Sequence, residues 1–150
     1  MSVSAENSDE FYVMPAFVTL AVRDLQASAQ WYQDVLNFRT LFELPGQLVH
    51  LRREKYQDIL LKPGVVMGEE RSVRTGAGVS LCYSVGAPAD VDRLAAQAQE
   101  KRAILIERPL NRPWNVRELV LLDPDDYRVI LTGGPVEARN FEDIFPPPQR

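Results

Sequence analysis

Few side chains in this chain can do chemistry, and their scarcity narrows the possibilities. The 150 residues include one histidine, His50, and one cysteine, Cys82. His50 is the only side chain whose ordinary pKa lies near neutrality, so any acid–base work falls to it. Cys82 has no basic neighbour in sequence to favour a thiolate, and catalysis by it is not expected. The counts exclude an intrachain disulfide, a cysteine-based zinc site and any site that takes two imidazoles from one chain. Glu118 is the one acid inside an apolar, strand-like run, which predicts that it is exposed, paired with an arginine, or functional. Arg52, Arg53 and Arg117 are candidates to meet an anionic group, or simply to cover sheet edges. Two aromatic residues offer ring surface instead of protons. Phe17 heads a β-type run, and Trp114 follows Pro113 at the start of a loop. Such rings either stack on a planar ligand or pack against the sheet.

The composition is that of a folded, water-soluble domain. Hydrophobic residues make up 45% and charged residues 25%, which separates the chain from disordered sequences. Seventeen basic against 21 acidic residues leave a net charge of −4. That balance argues against a nucleic-acid partner or an anionic membrane surface, both of which call for a basic face. No apolar run reaches the length of a spanning helix, and the first ten residues have neither a basic nor an apolar leader-like region. The expectation is a cytoplasmic protein.

The elements that must position these residues occur twice. The first set opens with a β-type run, Ala16 to Val22, followed by Asp24 as a helix N-cap. A helix to about Asn37 then carries Leu25, Ala29, Tyr32 and Leu36 on one face. Strand-like pieces follow at Arg39–Leu44, Leu48–Arg53 and Asp58–Leu61, broken by Pro45-Gly46 and by Lys55 to Gln57. The second set opens with Val79 to Val85. Asp90 is expected to cap a helix to about Lys101, with Val91, Leu94, Ala95 and Ala98 on its face. Its strands are Ile104–Glu107, Arg117–Leu122 and Arg128–Thr132, the last two joined by a turn at Asp123 to Asp126.

The pattern reads as an α+β protein of two βαβββ modules, and the repetition supports each copy. The boundaries are a polar amino-terminal tail at 1–13, modules at 14–63 and 79–134, a linker at 64–78 and a proline-rich tail at 135–150. One such module leaves a sheet face unfilled, and two side by side would curve that face into a shared trough. Strand alternation puts Phe17, Thr19 and Ala21 on the trough side, with Val18, Leu20 and Val22 behind. In the second module Ser80, Cys82 and Ser84 face the trough, with Val79, Leu81, Tyr83 and Val85 behind. Small or polar groups thus line the concave side, as a cleft requires.

The segments Phe17 to Leu25, Trp31 to Phe38, Arg112 to Leu119 and Leu122 to Ile130, in this order, resemble the vicinal oxygen chelate superfamily. That superfamily includes glyoxalase I, extradiol dioxygenases, and fosfomycin and bleomycin resistance proteins. The similarity runs over about residues 14–134 and is specific for the superfamily, not for one member. Asn37, Arg102 and Asp126 stand at turns where the family commonly has glycine. The resemblance implies a glyoxalase/bleomycin-resistance fold, a curved mixed sheet with a shared cleft. Metal-using members take ligands from the first and last strands of each module. Matched motif to motif, those positions are Phe17, Leu60, Ser80 and Ile130, with apolar neighbours on either side.

A divalent cation needs several nitrogen, oxygen or sulfur ligands, so no metal, no other cofactor and no catalytic residue are expected. The ligand-binding residues are expected to be Phe17, His50, Leu60, Ser80, Trp114, Glu118 and Ile130. The Pro113-Trp114 step is similar to one near the binding groove of bleomycin-resistance proteins. The expected function is metal-free binding of an apolar or aromatic small molecule, as in drug sequestration, by a homodimer. The alternative is a lyase, isomerase or dioxygenase of the same superfamily with a non-standard site.

Overall fold

The computed structural model describes residues 11–64, 78–144 and 147–148. Most of the expected tail at 1–13, residues 65–77 of the expected linker, Phe145 and Pro146 lie outside the described residues. The chain divides into two compact units, residues 1–77 with 124–126, and residues 78–123 with 127–150.

In the first unit the order is β1 (Val18–Val22), α1 (Leu25–Leu36), β2 (Arg39–Leu44), β3 (Leu48–Arg52) and β4 (Asp58–Pro63). The strands form a mixed sheet in the order β1-β4-β3-β2. β1 runs parallel to β4, and the remaining pairs are antiparallel. Asp24 caps α1 as expected, its carboxylate accepting from the Ala27 amide at 2.9 Å. Leu25, Ser28, Ala29, Tyr32, Val35 and Leu36 form the buried stripe at helical spacing. Against it lie Leu20, Val22, Val49, Leu51, Ile59 and Leu61, the alternate residues of β1, β3 and β4. Tyr32 sits edge-on to both Trp31 and Phe38.

The second unit repeats the plan with β5 (Ser80–Gly86), α2 (Pro88–Glu100), β6 (Ile104–Asn111), β7 (Arg117–Leu122) and β8 (Arg128–Gly133). Its sheet order is β5-β8-β7-β6. A short helix, α3 (Phe141–Ile144), follows. Leu81, Tyr83, Val85, Val91, Leu94, Ala98, Leu119, Leu121, Val129 and Leu131 are buried. Gly133 is required where β8 meets α2, because an added Cβ would lie 2.5 Å from the Ala87 carbonyl oxygen.

The two α+β modules confirm the expected architecture, with three local corrections. The N-cap of α2 is Ala87, not Asp90. Pro88 takes the first helical position, and Asp90 lies one turn in, where its carboxylate accepts from the Ala87 amide at 2.8 Å. Val79 precedes β5 and is 59% exposed, so it does not pack behind the sheet. β6 extends through Pro109 to Asn111 because it is an edge strand, where proline removes no ladder bond facing a neighbour, and its register shifts twice.

The departures from glycine are visible in the backbone. Asn37, Arg102 and Asp126 have φ of 60°, 60° and 66°, all left-handed. Asn tolerates that region, whereas arginine pays a steric cost there of about 1 kcal/mol. Glycine removes the clash but loses more entropy on folding, which offsets about half the gain. Arg102→Gly is therefore expected to raise the melting temperature by about 2 °C, as calorimetry would read; an unchanged or lower value would contradict the strain.

Candidate functional site

Each sheet has one face covered by its helix and one turned away, and every expected site residue lies on or beside a face turned away. In the first unit the strands bring Thr19, Leu60, His50 and Phe42 into one row, through the pairs Thr19–Leu60, Leu60–His50 and His50–Phe42. Phe17 stands immediately before β1 and is 50% exposed. Leu60 is half-buried.

Asp58 organises this face. Its side chain is fully buried and accepts three hydrogen bonds: from the Tyr12 hydroxyl at 2.5 Å, the Arg52 Nε at 2.7 Å and the His50 Nε2 at 2.8 Å. Burial alone would push the pKa of this carboxyl up. The hydrogen bonds from Tyr12, His50 and Arg52, together with the Arg52 charge, outweigh burial and hold it below the usual carboxylate range. Because an ionised carboxylate only accepts, the His50 nitrogen that faces it, Nε2, carries a proton, and Nδ1 is the one ring nitrogen able to accept.

Tyr12 is itself locked in place. It takes a hydrogen bond from the Tyr56 amide at 2.8 Å, packs edge-on against the Tyr56 ring and lies under the Arg52 guanidinium. Burial, then the bond to Asp58, push its phenol above the ordinary tyrosine value.

In the second unit Glu118 is the hub. Its carboxylate accepts from Arg112 Nε at 3.1 Å and from the Trp114 indole at 3.2 Å, and Arg112 also pairs with Glu107. Hydrogen bonds to Glu107 and Glu118 keep Arg112 firmly protonated. Trp114, in the loop between β6 and β7, keeps 48% of its surface exposed, with Arg112 5.9 Å from its ring centre. Ile130 pairs with Cys82 on one side and Val120 on the other, while Ser80 sits opposite Arg128. Burial, and then the Glu118 charge, raise the Cys82 thiol, which makes it a poor nucleophile at neutral pH.

The structure thus joins His50 to Leu60 in one unit and Trp114 to Glu118 in the other. Ser80 and Ile130 lie on the same face as Glu118 without bonding to it. Of the arginines, Arg52 meets Asp58 and Arg117 meets Asp92 and Asn111, so both engage groups of this chain. Arg53 is held by Gln57 at 3.3 Å, and burial lowers its pKa. Sequence reasoning missed Asp58, Tyr12 and Arg112. The alternation of His50 and Arg52 beside an acid that opens the next strand was the available signal for Asp58. Tyr12, from the expected tail, carried none.

The four positions matched to metal ligands carry Phe17, Leu60, Ser80 and Ile130, which offer one hydroxyl among them. Among the described residues, no group of three or more His, Cys, Asp and Glu side chains is placed to hold a metal ion. The residues present do not fit a resident divalent metal. No helix among them is long and apolar enough to cross a membrane.

Residues 15–131 match the family model described as the Glyoxalase/Bleomycin resistance protein/Dioxygenase superfamily. No curated protein sequence matches. Among solved structures, lactoylglutathione lyase from Agrobacterium tumefaciens is similar at 22% identity and a TM-score of 0.63, covering 85% of this chain and 97% of that one. TioX from Micromonospora sp. ML1 is similar at 21% and 0.62, covering 83% and 98%. Fosfomycin resistance protein FosX from Mesorhizobium loti is similar at 18% and 0.61, covering 79% and 90%. At these identities the likeness shows a shared fold.

Proposed function

From the premise that the chain belongs to the Glyoxalase/Bleomycin resistance protein/Dioxygenase superfamily, we propose that it is a metal-free protein that binds and sequesters an apolar or aromatic small molecule. One observation carries this reading: the positions that hold metal ligands in metal-using members carry Phe17, Leu60, Ser80 and Ile130. What they provide instead is half-exposed ring and aliphatic surface, beside a few fixed polar groups. Trp114 adds an indole whose nitrogen is held by Glu118, so its orientation is set before any ligand arrives.

The reading includes a homodimer acting in the cytoplasm, without nucleic-acid or membrane partners. The exposed Ile104, Ile106 and Leu110 of edge strand β6 support self-association, and sedimentation at two concentrations reads the oligomeric state. An enzyme of the same superfamily with a non-standard site is the second reading. The His50–Asp58 pair favours it, since a carboxylate that orients an imidazole is a common arrangement for proton transfer.

Titration with uncharged fused-ring aromatics, beginning with naphthalene, tests the binding function. The expected result is saturable quenching of tryptophan fluorescence, weakened in Trp114→Leu, with a rise in melting temperature. A ligand at one hundred times its dissociation constant stabilises the folded state by about 2.7 kcal/mol. No saturable binding by any member of the panel would contradict the proposal.

A further inference from the structure

We infer that His50 is the proton-accepting group of a binding subsite on the first sheet, and that this subsite takes a planar ligand bearing an acidic hydroxyl. The inference rests on the small-molecule-binding reading and gives it a ligand class.

Three features of the geometry lead there. First, the imidazole has a fixed direction. Nε2 donates to the fully buried Asp58 carboxylate at 2.8 Å, and that carboxylate is itself held by Tyr12 and Arg52. Asp58 is thus a positioning residue, which sets the tautomer and the direction of the ring. Secondly, Nδ1 has no hydrogen-bond partner among the described residues and is not among the buried atoms that lack one. It is therefore reachable from outside, although only 17% of the side chain is exposed.

Thirdly, the surroundings suit a flat, weakly acidic ligand. Leu60 and Phe42 flank His50 in register, and Phe42 is 51% exposed. Directly opposed strand residues lie about 5 Å apart, so a single aromatic ring over His50 touches both. Among the described residues, the charged groups on this face are Asp58 and Lys62 of β4, Arg52 of β3 and Arg39 at the start of β2, with the Arg52 guanidinium over the Tyr12 ring. Among these described groups three cations stand with one carboxylate, which favours an anion once a proton has left the ligand. The step is a simple transfer. The ligand's O–H bond breaks, its electron pair stays on oxygen, and the proton moves to Nδ1 to form an imidazolium against Asp58.

The test uses 4-nitrophenol, whose ionised form absorbs at longer wavelength, with 4-nitroanisole as a partner that has no hydroxyl. His50→Gln is the variant of choice, because an amide still donates to Asp58 but accepts no proton. On the wild-type protein, bound 4-nitrophenol is expected to ionise about one pH unit below the free compound, a tenfold preference for the anion. His50→Gln is expected to lose that shift in whatever 4-nitrophenol it binds, and 4-nitroanisole reads how far binding itself has fallen. If both compounds bind and the shift is absent, or is unchanged in His50→Gln, proton acceptance is overturned while small-molecule binding stands. If neither compound binds the wild-type protein, the subsite is overturned, and the broader reading is decided by the fused-ring panel.

Discussion

Replacing Asp58 by Asn is expected to lower the unfolding free energy by about 3 kcal/mol, among the largest effects of any single substitution outside the apolar core. The carboxylate is fully buried and is the common acceptor for Tyr12, His50 and Arg52. Asparagine keeps the shape and removes the charge, so the Arg52 guanidinium stays buried without this carboxylate. The pH dependence follows from the direction of the Asp58 shift. Its folded-state value lies below the ordinary carboxylate range. Its contribution is therefore fully present above about pH 4, the unfolded value, and is lost as the pH falls through the folded one. Denaturant unfolding should show the full gap between wild type and Asp58→Asn at pH 7, narrowing in acid. A gap independent of pH, or smaller than experimental error at pH 7, would contradict the assigned role.

The second large effect is expected at Tyr32, whose substitution by alanine should cost about 4 kcal/mol. Tyr32 has no exposed surface and fills the space between α1 and the sheet, edge-on to Trp31 at 4.9 Å and to Phe38 at 5.6 Å. Deleting the ring removes its buried area and leaves a cavity in a unit with one modest core. Trp31 next to it is only half-buried, so Trp31→Ala should cost clearly less. Equal losses for the two variants would mean that the stripe is read wrongly. Urea midpoints compared at constant slope decide this.

Much of the fold was legible because periodicity and turn chemistry agree. Leu25, Ala29, Tyr32 and Leu36 mark the buried face of α1 by spacing alone, and β2 and β7 have the ends expected from their sequence. The misplaced cap of α2 shows where local rules compete. Aspartate is a favoured N-cap, but Pro88 fits the first helical position and moves the start of the helix upstream of Asp90. The strand expected at Ile104–Glu107 runs on to Asn111, and its edge position is what allows it to continue through Pro109.

The candidate site was legible in its parts but not in its connections. Strand alternation put Thr19, Ser80, Cys82 and Ser84 on the correct faces. The Glu118 pairing with an arginine was among the expected outcomes, although Arg112 as its partner was not foreseen. Asp58 was hidden because its importance depends on register: the hairpin centred on Lys55 sets it opposite Arg52 and next to His50. Register is a tertiary property that a strand's own sequence specifies only weakly. Tyr12 was invisible for a related reason, since a residue 46 positions away in sequence reaches Asp58 only after the sheet has formed.

Elemental analysis of protein purified without chelator or affinity-tag metal tests the central claim most directly, repeated after incubation with zinc, manganese, nickel and iron(II). A chain with Phe17, Leu60, Ser80 and Ile130 at the four matched positions should retain no stoichiometric metal after either treatment. Retention of a transition metal at one equivalent per chain would contradict the metal-free reading and turn attention to His50, Asp58 and Glu118 as ligands.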